Sequence, residues 1–300
     1  MACAAPLIGI EHNGARSKVK LMAERTEPRT VIIRPTHGWL ALNLRDLWLY
    51  RELIYFMTWR DLKVRYKQTL LGVAWAVIKP FMTMVVFTIF FGNLAKMSSD
   101  GLPYAVFTLT ALLPWELFTA ALNQASQSLV KSSNMITKVY FPRIILPLSS
   151  ILAGLVDFAI AFVILLLMMW YYHITPTAAV WTLPLYLLLV LVTALGVGLW
   201  LSALNVLYRD INYITPFLTQ FWLFITPIVY PVSNIPEKWR LVYAINPMTG
   251  VVEGFRWALL GSQASAPTAM LAVSAGVAIL LLVSGLFFFR RTERRFADMV

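Results

Sequence analysis

Apolar residues run through this chain in long stretches broken by short polar segments. A helix needs about 20 apolar residues to cross a hydrocarbon core of about 30 Å. Stretches at about 72–95, 104–130, 144–172, 181–206, 213–233 and 268–289 meet that length, so the pattern predicts an all-α integral membrane protein with six transmembrane helices. Pro80 marks a kink in the first span, and Trp170, Tyr171 and Tyr172 end the third with an aromatic belt suited to an interface. Gly196 and Gly198 let another helix approach the fourth closely, while Pro216, Pro227 and Pro231 keep the fifth from running straight.

Two further elements follow from the pattern. Leu44, Leu47, Trp48, Ile54, Tyr55, Trp59 and Leu62 share one broad helical stripe that Arg51 breaks, with Arg45, Asp46, Glu52, Arg60 and Lys63 elsewhere. This predicts an amphipathic helix, lying in the headgroup plane or packed on protein. After the fifth span, Asn246 and Pro247 have the form of an N-cap and first helical position for a helix ending near Gly261. That helix is too short to cross, so 234–261 is expected to hold short re-entrant or interfacial helices on the outer side. The expected organisation is a polar tail at 1–43, an amphipathic and basic segment at 44–71, the six-helix domain at 72–289 and a basic tail at 290–300.

Composition agrees: 59% of residues are hydrophobic and 13% charged, with mean hydropathy +0.71. A net charge of +11 would raise nucleic acid in a soluble protein, but here position decides. Twelve Lys and Arg precede the first span; Lys131, Lys138 and Arg143 follow the second, Arg209 the fourth, and Arg290, Arg291, Arg294 and Arg295 the sixth. The alternate loops hold only Lys96, Lys238, Arg240 and Arg256. Positive residues collect on the cytoplasmic side, so both termini are expected inside. Residues 1–10 are apolar but too short for a cleaved signal peptide. The lone Cys3 and the scattered His12, His37 and His173 offer neither an internal disulfide nor metal-ligand spacing.

Candidate chemistry is sparse. There is no phosphate-binding loop, zinc-protease motif or nucleophile elbow, so energy from nucleotide hydrolysis has to come from a partner. Glu116 and Asp157 fall within spans, where they either relay protons or pair for helix packing. Phe217, Phe221 and Phe224 form a helical stripe beside Trp222, and Phe87 with Phe91 repeats the spacing. With Trp115 and Phe118 these are candidate channel-lining aromatics, against the plainer role of core or lipid contact. Gly250 and Gly254 give the short outer helix a face for close packing, near Arg256. The loop 131–143, ending Lys138-Val139-Tyr140-Phe141-Pro142-Arg143, is basic and aromatic and suits docking on a soluble partner or anchoring at headgroups.

Several of these segments resemble one family. The run LIYFMTWRDLKVRYKQTLLG from Leu53 to Gly72 with Trp75 and Pro80, then Leu113-Pro114-Trp115, Ile136 to Arg143, Asn205 to Asp210, Asn246-Pro247-Met248 and Gly254-Phe255-Arg256 are similar, in order, to permeases of the polysaccharide-export branch of type-2 ABC transporters. The resemblance covers about 48–261. It implies a homodimer of six-helix subunits bound to two copies of a separate ATPase that holds ATP and Mg, exporting an undecaprenyl-diphosphate-linked O antigen or capsule glycan across the bacterial inner membrane. On this resemblance Lys138 to Arg143 receive the ATPase stroke, and the short outer helices carrying Asn246, Pro247, Gly250, Gly254 and Arg256 line the exit. Arg60, Lys63, Arg65 and Lys67 are expected to attract the lipid diphosphate at the inner face. Teichoic-acid export fits the same motifs. Against a membrane glycosyl- or acyltransferase stands the absence of any cluster of Asp, Glu or His near one membrane face, and a channel or proton-coupled carrier would need Glu116 or Asp157. The first 40 or so residues match no pattern of the family.

Overall fold

The computed structural model describes residues 44–67, 72, 74–261, 268–293 and 296. The tail 1–43, with Cys3, and the C-terminal Arg294 and Arg295 lie outside them. Among the described residues every regular element is helical: α1 (Leu44–Leu49), α2 (Arg51–Lys67), α3 (Ala74–Phe87, running on as a π-helix Thr88–Leu94), α4 (Tyr104–Lys131), α5 (Ile145–Tyr171), α6 (Leu183–Leu207), α7 (Ile211–Ile225), α8 (Glu237–Tyr243), α9 (Pro247–Leu260) and α10 (Thr268–Glu293), with short turns between.

Five of these are long and apolar enough to cross a bilayer: α3 with its π-helical extension, α4, α5, α6 with the 3₁₀ turn before it, and α10. Here the structure departs from the expectation of six continuous spans. The fifth stretch is helical only as α7, whose 15 residues reach about 22 Å at about 1.5 Å per residue. Thr226 turns extended and the chain bends through Pro227 to Pro231. Neither proline has an N–H to continue a helix, and an apolar sequence alone cannot prevent the break.

Packing is centred on α4, which touches α3, α5, α6, α7 and α9 and is buried along most of its length. By contrast α3 and α10 are largely open to their surroundings. Two glycines set the approach of α6 to α10: a Cβ on Gly196 would lie 2.6 Å from the backbone N of Leu282, and one on Gly285 would meet the Gly196 carbonyl. Trp200 stacks on Phe288 at 4.1 Å beside this contact.

The amphipathic stretch forms two helices, and its stripe divides between two surroundings. Leu47 and Ile54, with Tyr50 and Leu53, pack against an apolar cluster at the basic end of the bundle. Trp48, Tyr55, Phe56 and Trp59 remain exposed. The segment therefore has a face on protein and a second apolar face open to its surroundings.

Candidate functional site

Two intramembrane carboxylates that stand out in the sequence are both paired. Arg65, near the end of α2, reaches between α4 and α5 and donates to Asp157 Oδ2 and to Gln124 Oε1. Lys79 of α3 donates to Glu116 Oε2 of α4 at 2.5 Å. Charges in a medium of low polarity persist when they are paired and hydrogen-bonded. The planar guanidinium suits Arg65 to hold a carboxylate and an amide together. Asp157 Oδ1 is buried without a hydrogen-bond partner among the described residues.

These four charged side chains line a cavity of about 310 Å³, walled elsewhere by Trp75, Pro80, Leu117 and Phe158. Arg65 and Gln124 also border a groove of about 460 Å³ that leads toward the basic end, past Arg60, Asp61, Ser128, Ser150 and Lys131. Arg60 pairs with Asp61 at 2.8 Å, and Asp61 accepts from the Ser150 hydroxyl. Lys63 lies 5.4 Å over the Trp59 ring, and both Lys63 and Lys67 are exposed. The four expected cations thus split: Arg60 and Arg65 turn into the groove, Lys63 and Lys67 outward. Gln124 and Lys79 did not stand out as partners in the sequence. Lys79 interrupts an apolar run, whereas Gln124 sits among Asn123, Ser126 and Gln127 and has no such signal.

The loop 131–143 carries a short helical turn, Ser133–Ile136, and then leaves regular structure. Lys138, Val139 and Tyr140 are exposed, Tyr140 at 73%. Phe141 is buried with Ile136 and Ile144 beneath them. Of the two aromatics expected to dock, Tyr140 alone is presented outward. Pro142 and Arg143 are half-buried, and Arg143 donates to the backbone carbonyl of Glu293.

The candidate channel aromatics fall into three groups. Phe217, Phe221 and Phe224 are exposed along one face of α7, Phe217 at 71%. Phe87 and Phe91 are half-buried, edge to face at 5.5 Å. Trp115 and Phe118 lie in the core of the helical bundle, Phe118 at 0% exposure and 5.1 Å from Trp222. Trp222 turns from the exposed stripe and donates its Nε1–H to Asn246.

At the opposite end, Asn246 caps α9 by accepting from the Met248 N–H, and its amide donates to the Thr226 hydroxyl. Pro247 occupies the first turn, and Gly261 closes the helix with φ +63. A side chain at Gly250 would strike Ser274, and one at Gly254 the Tyr186 ring. Arg256 is 1% exposed. It donates to the carbonyls of Pro227 at 2.7 Å and Ile228 at 2.6 Å and to Glu253 at 3.1 Å, with its guanidinium 3.6 Å from the Phe107 ring centroid. Burial raises the Glu253 carboxyl above its usual range, and the Arg256 charge draws it back.

The sequence profile described as ABC-2 type transporter matches residues 52–260, from the start of α2 to the end of α9. The chain is 29% identical over 260 residues to the O-antigen export system permease protein RfbA of Myxococcus xanthus, covering 86% of this chain and 98% of that protein. A protein of the same name from Klebsiella pneumoniae is 27% identical over 250 residues, 83% of this chain and 95% of the relative. Polysialic acid transport protein KpsM of Escherichia coli is 23% identical over 209 residues, 67% of this chain and 78% of the relative. A multi-pass helical subunit matched across its bundle from α2 to α9, this chain belongs to the ABC-2 type transporter family.

Proposed function

We propose that the chain is the permease subunit of an ABC transporter exporting a lipid-linked polysaccharide of O-antigen or capsule type, carried on an undecaprenyl-diphosphate lipid, across the bacterial inner membrane. The observation that carries this reading is the likeness to proteins named for O-antigen export over 98% and 95% of their length. The transport subunit has no phosphate-binding loop in its sequence; a separate ATPase subunit holds ATP and Mg and supplies the stroke.

Two copies of the chain pair with two copies of the ATPase. The positive-inside pattern supports an orientation with both termini and the loop 131–143 in the cytoplasm. Then α8 and α9 form the outer re-entrant region, and α7 with the bend after it makes the sixth crossing. Exposed Tyr140 and Val139 suit the contact with the ATPase. On α7, the open face of Phe217, Phe221 and Phe224 suits a lumen shared between the two copies, because flat rings hold the C–H faces of sugars without pinning a polymer that must slide.

At the inner face, exposed Lys63 and Lys67 draw in the anionic diphosphate. Behind them Arg60 and Arg65 each stand against a carboxylate that a diphosphate replaces as it advances. Pairing of Glu116 with Lys79 and of Asp157 with Arg65 favours a packing role over a proton relay.

Deletion of the gene in its host, followed by fractionation of lipid-linked glycan, tests the reading. Surface glycan is expected to disappear while the lipid-linked form accumulates in the cytoplasm. Undiminished surface glycan overturns the assignment.

A further inference from the structure

The buried side of the loop 131–143 is joined to the end of α10 and to Phe296. Ile136, Phe141 and Ile144 are buried in an apolar cluster separate from the main core, together with Leu199 and Ala203 at the end of α6 and Phe289 and Phe296 at the end of α10. Leu47 of α1, Leu53 and Ile54 of α2 and Tyr50 between the two helices pack on the same cluster. Phe296 follows a run of arginines in the sequence and yet is 0% exposed. Its ring meets Phe289 edge to face at 5.3 Å.

Arg143, the last residue of the loop, is held twice. It donates to the Glu293 carbonyl, at the last turn of α10, where backbone carbonyls have no partner within the helix. Its guanidinium also lies 5.8 Å from the Phe296 ring centroid, within the range of a cation–π contact.

We propose that Glu293 and Phe296 form a positioning clamp for this loop, with Phe296 as its key positioning residue. The inference rests on the reading of the loop as the contact with the ATPase. A load on exposed Tyr140 can do work on the bundle only if the loop is backed from behind. Its backing is the close-packed cluster around Phe296, which yields little and transmits displacement. From there the load passes along α10, and through the Gly196–Gly285 contact and the Trp200–Phe288 stack into α6. Without Phe296 the loop swings about Pro142 and the stroke is lost. The family match ends at residue 260, before both residues.

The test uses the whole transporter with its ATPase in native membranes, comparing Phe296→Ala, Phe296→Tyr, Arg143→Gln and Tyr140→Ala. Three quantities are read: ATPase co-purified with the permease, ATP hydrolysed, and glycan exported per ATP. Phe296→Ala is expected to keep the ATPase bound and hydrolysing while export per ATP falls about tenfold, an ordinary size for a coupling between sites. Phe296→Tyr, which keeps the ring, is expected to restore export. A wild-type ratio in Phe296→Ala, or no rescue by Tyr, overturns the clamp. Where Phe296→Ala fails to accumulate, Arg143→Gln gives the same reading with Phe296 in place, and an unchanged ratio there overturns it too. Tyr140 is exposed and outside the buried cluster. Unchanged export per ATP in Tyr140→Ala therefore removes the ATPase contact from this loop, and is distinct from failure of the clamp.

Discussion

Arg256 holds a bend together from within. The break after α7 frees the carbonyls of Pro227 and Ile228 from any helix, and a buried carbonyl without a partner costs about 1–3 kcal/mol. One guanidinium takes both, balances Glu253 and lies over Phe107. Arg256→Ala leaves the Glu253 charge unpaired as well, and removal of one member of a buried pair costs about 3–5 kcal/mol. A clear fall in melting temperature in detergent is expected, and Arg256→Lys falls by a similar amount because one ammonium cannot serve all these groups in fixed directions. A melting temperature of Arg256→Ala equal to that of the native chain would show that the bend is held otherwise. In the sequence Arg256 was legible as part of a motif, but its partners were not. Backbone carbonyls carry no signature, and these two lie 29 and 28 positions before Arg256.

Elements were legible to the extent that length and polarity decide them. Five of the six expected spans have counterparts in long apolar helices, and Asn246, Pro247 and Gly261 bound α9 where capping chemistry puts them. The fifth span was read through to 233 because its apolar residues continue past Pro227, and hydropathy does not see a missing N–H. Helix faces were harder still. Phe118 and Phe217 both belong to apolar helices, yet one is core and the other open, because inside a bilayer an apolar side chain is equally at home against protein or lipid. Glycines on α10 provide a test of packing at this scale. A methyl added at Gly285 meets α6 backbone, whereas one added at Gly276 meets nothing within 4 Å. Gly285→Ala is expected to cost about 1–3 kcal/mol through overpacking, and Gly276→Ala to leave the thermal melt unchanged or slightly raised. Equal melts for the two variants would exclude a tight α6–α10 contact.

At the scale of the whole molecule, the exposed rings of α7 leave the protomer with an aromatic surface that a second copy is proposed to face. In a Cys3→Ser background, Phe221→Cys is expected to form a disulfide between copies when membranes are treated with a mild oxidant. Trp115→Cys, buried in the protomer, should not react. Absence of the Phe221→Cys cross-link would move the shared lumen away from α7.

The enclosed position of α4 also bears on how the chain is made. With a mean hydropathy of 1.5 it is the least apolar of the five long helices, against 2.8 for α5, and the most thoroughly covered by its neighbours. It carries Glu116 and Gln124, whose partners include Lys79, made before it, and Arg65, which is also paired with Asp157, made after it. While α5 is still on the ribosome, Glu116 and Gln124 already have Lys79 and Arg65 within reach, but Arg65 lacks Asp157 and the side of α4 that α5 covers is open. The Arg65 network closes only when α5 arrives, so during biogenesis α4 is expected to stay beside the insertion machinery until α5 emerges.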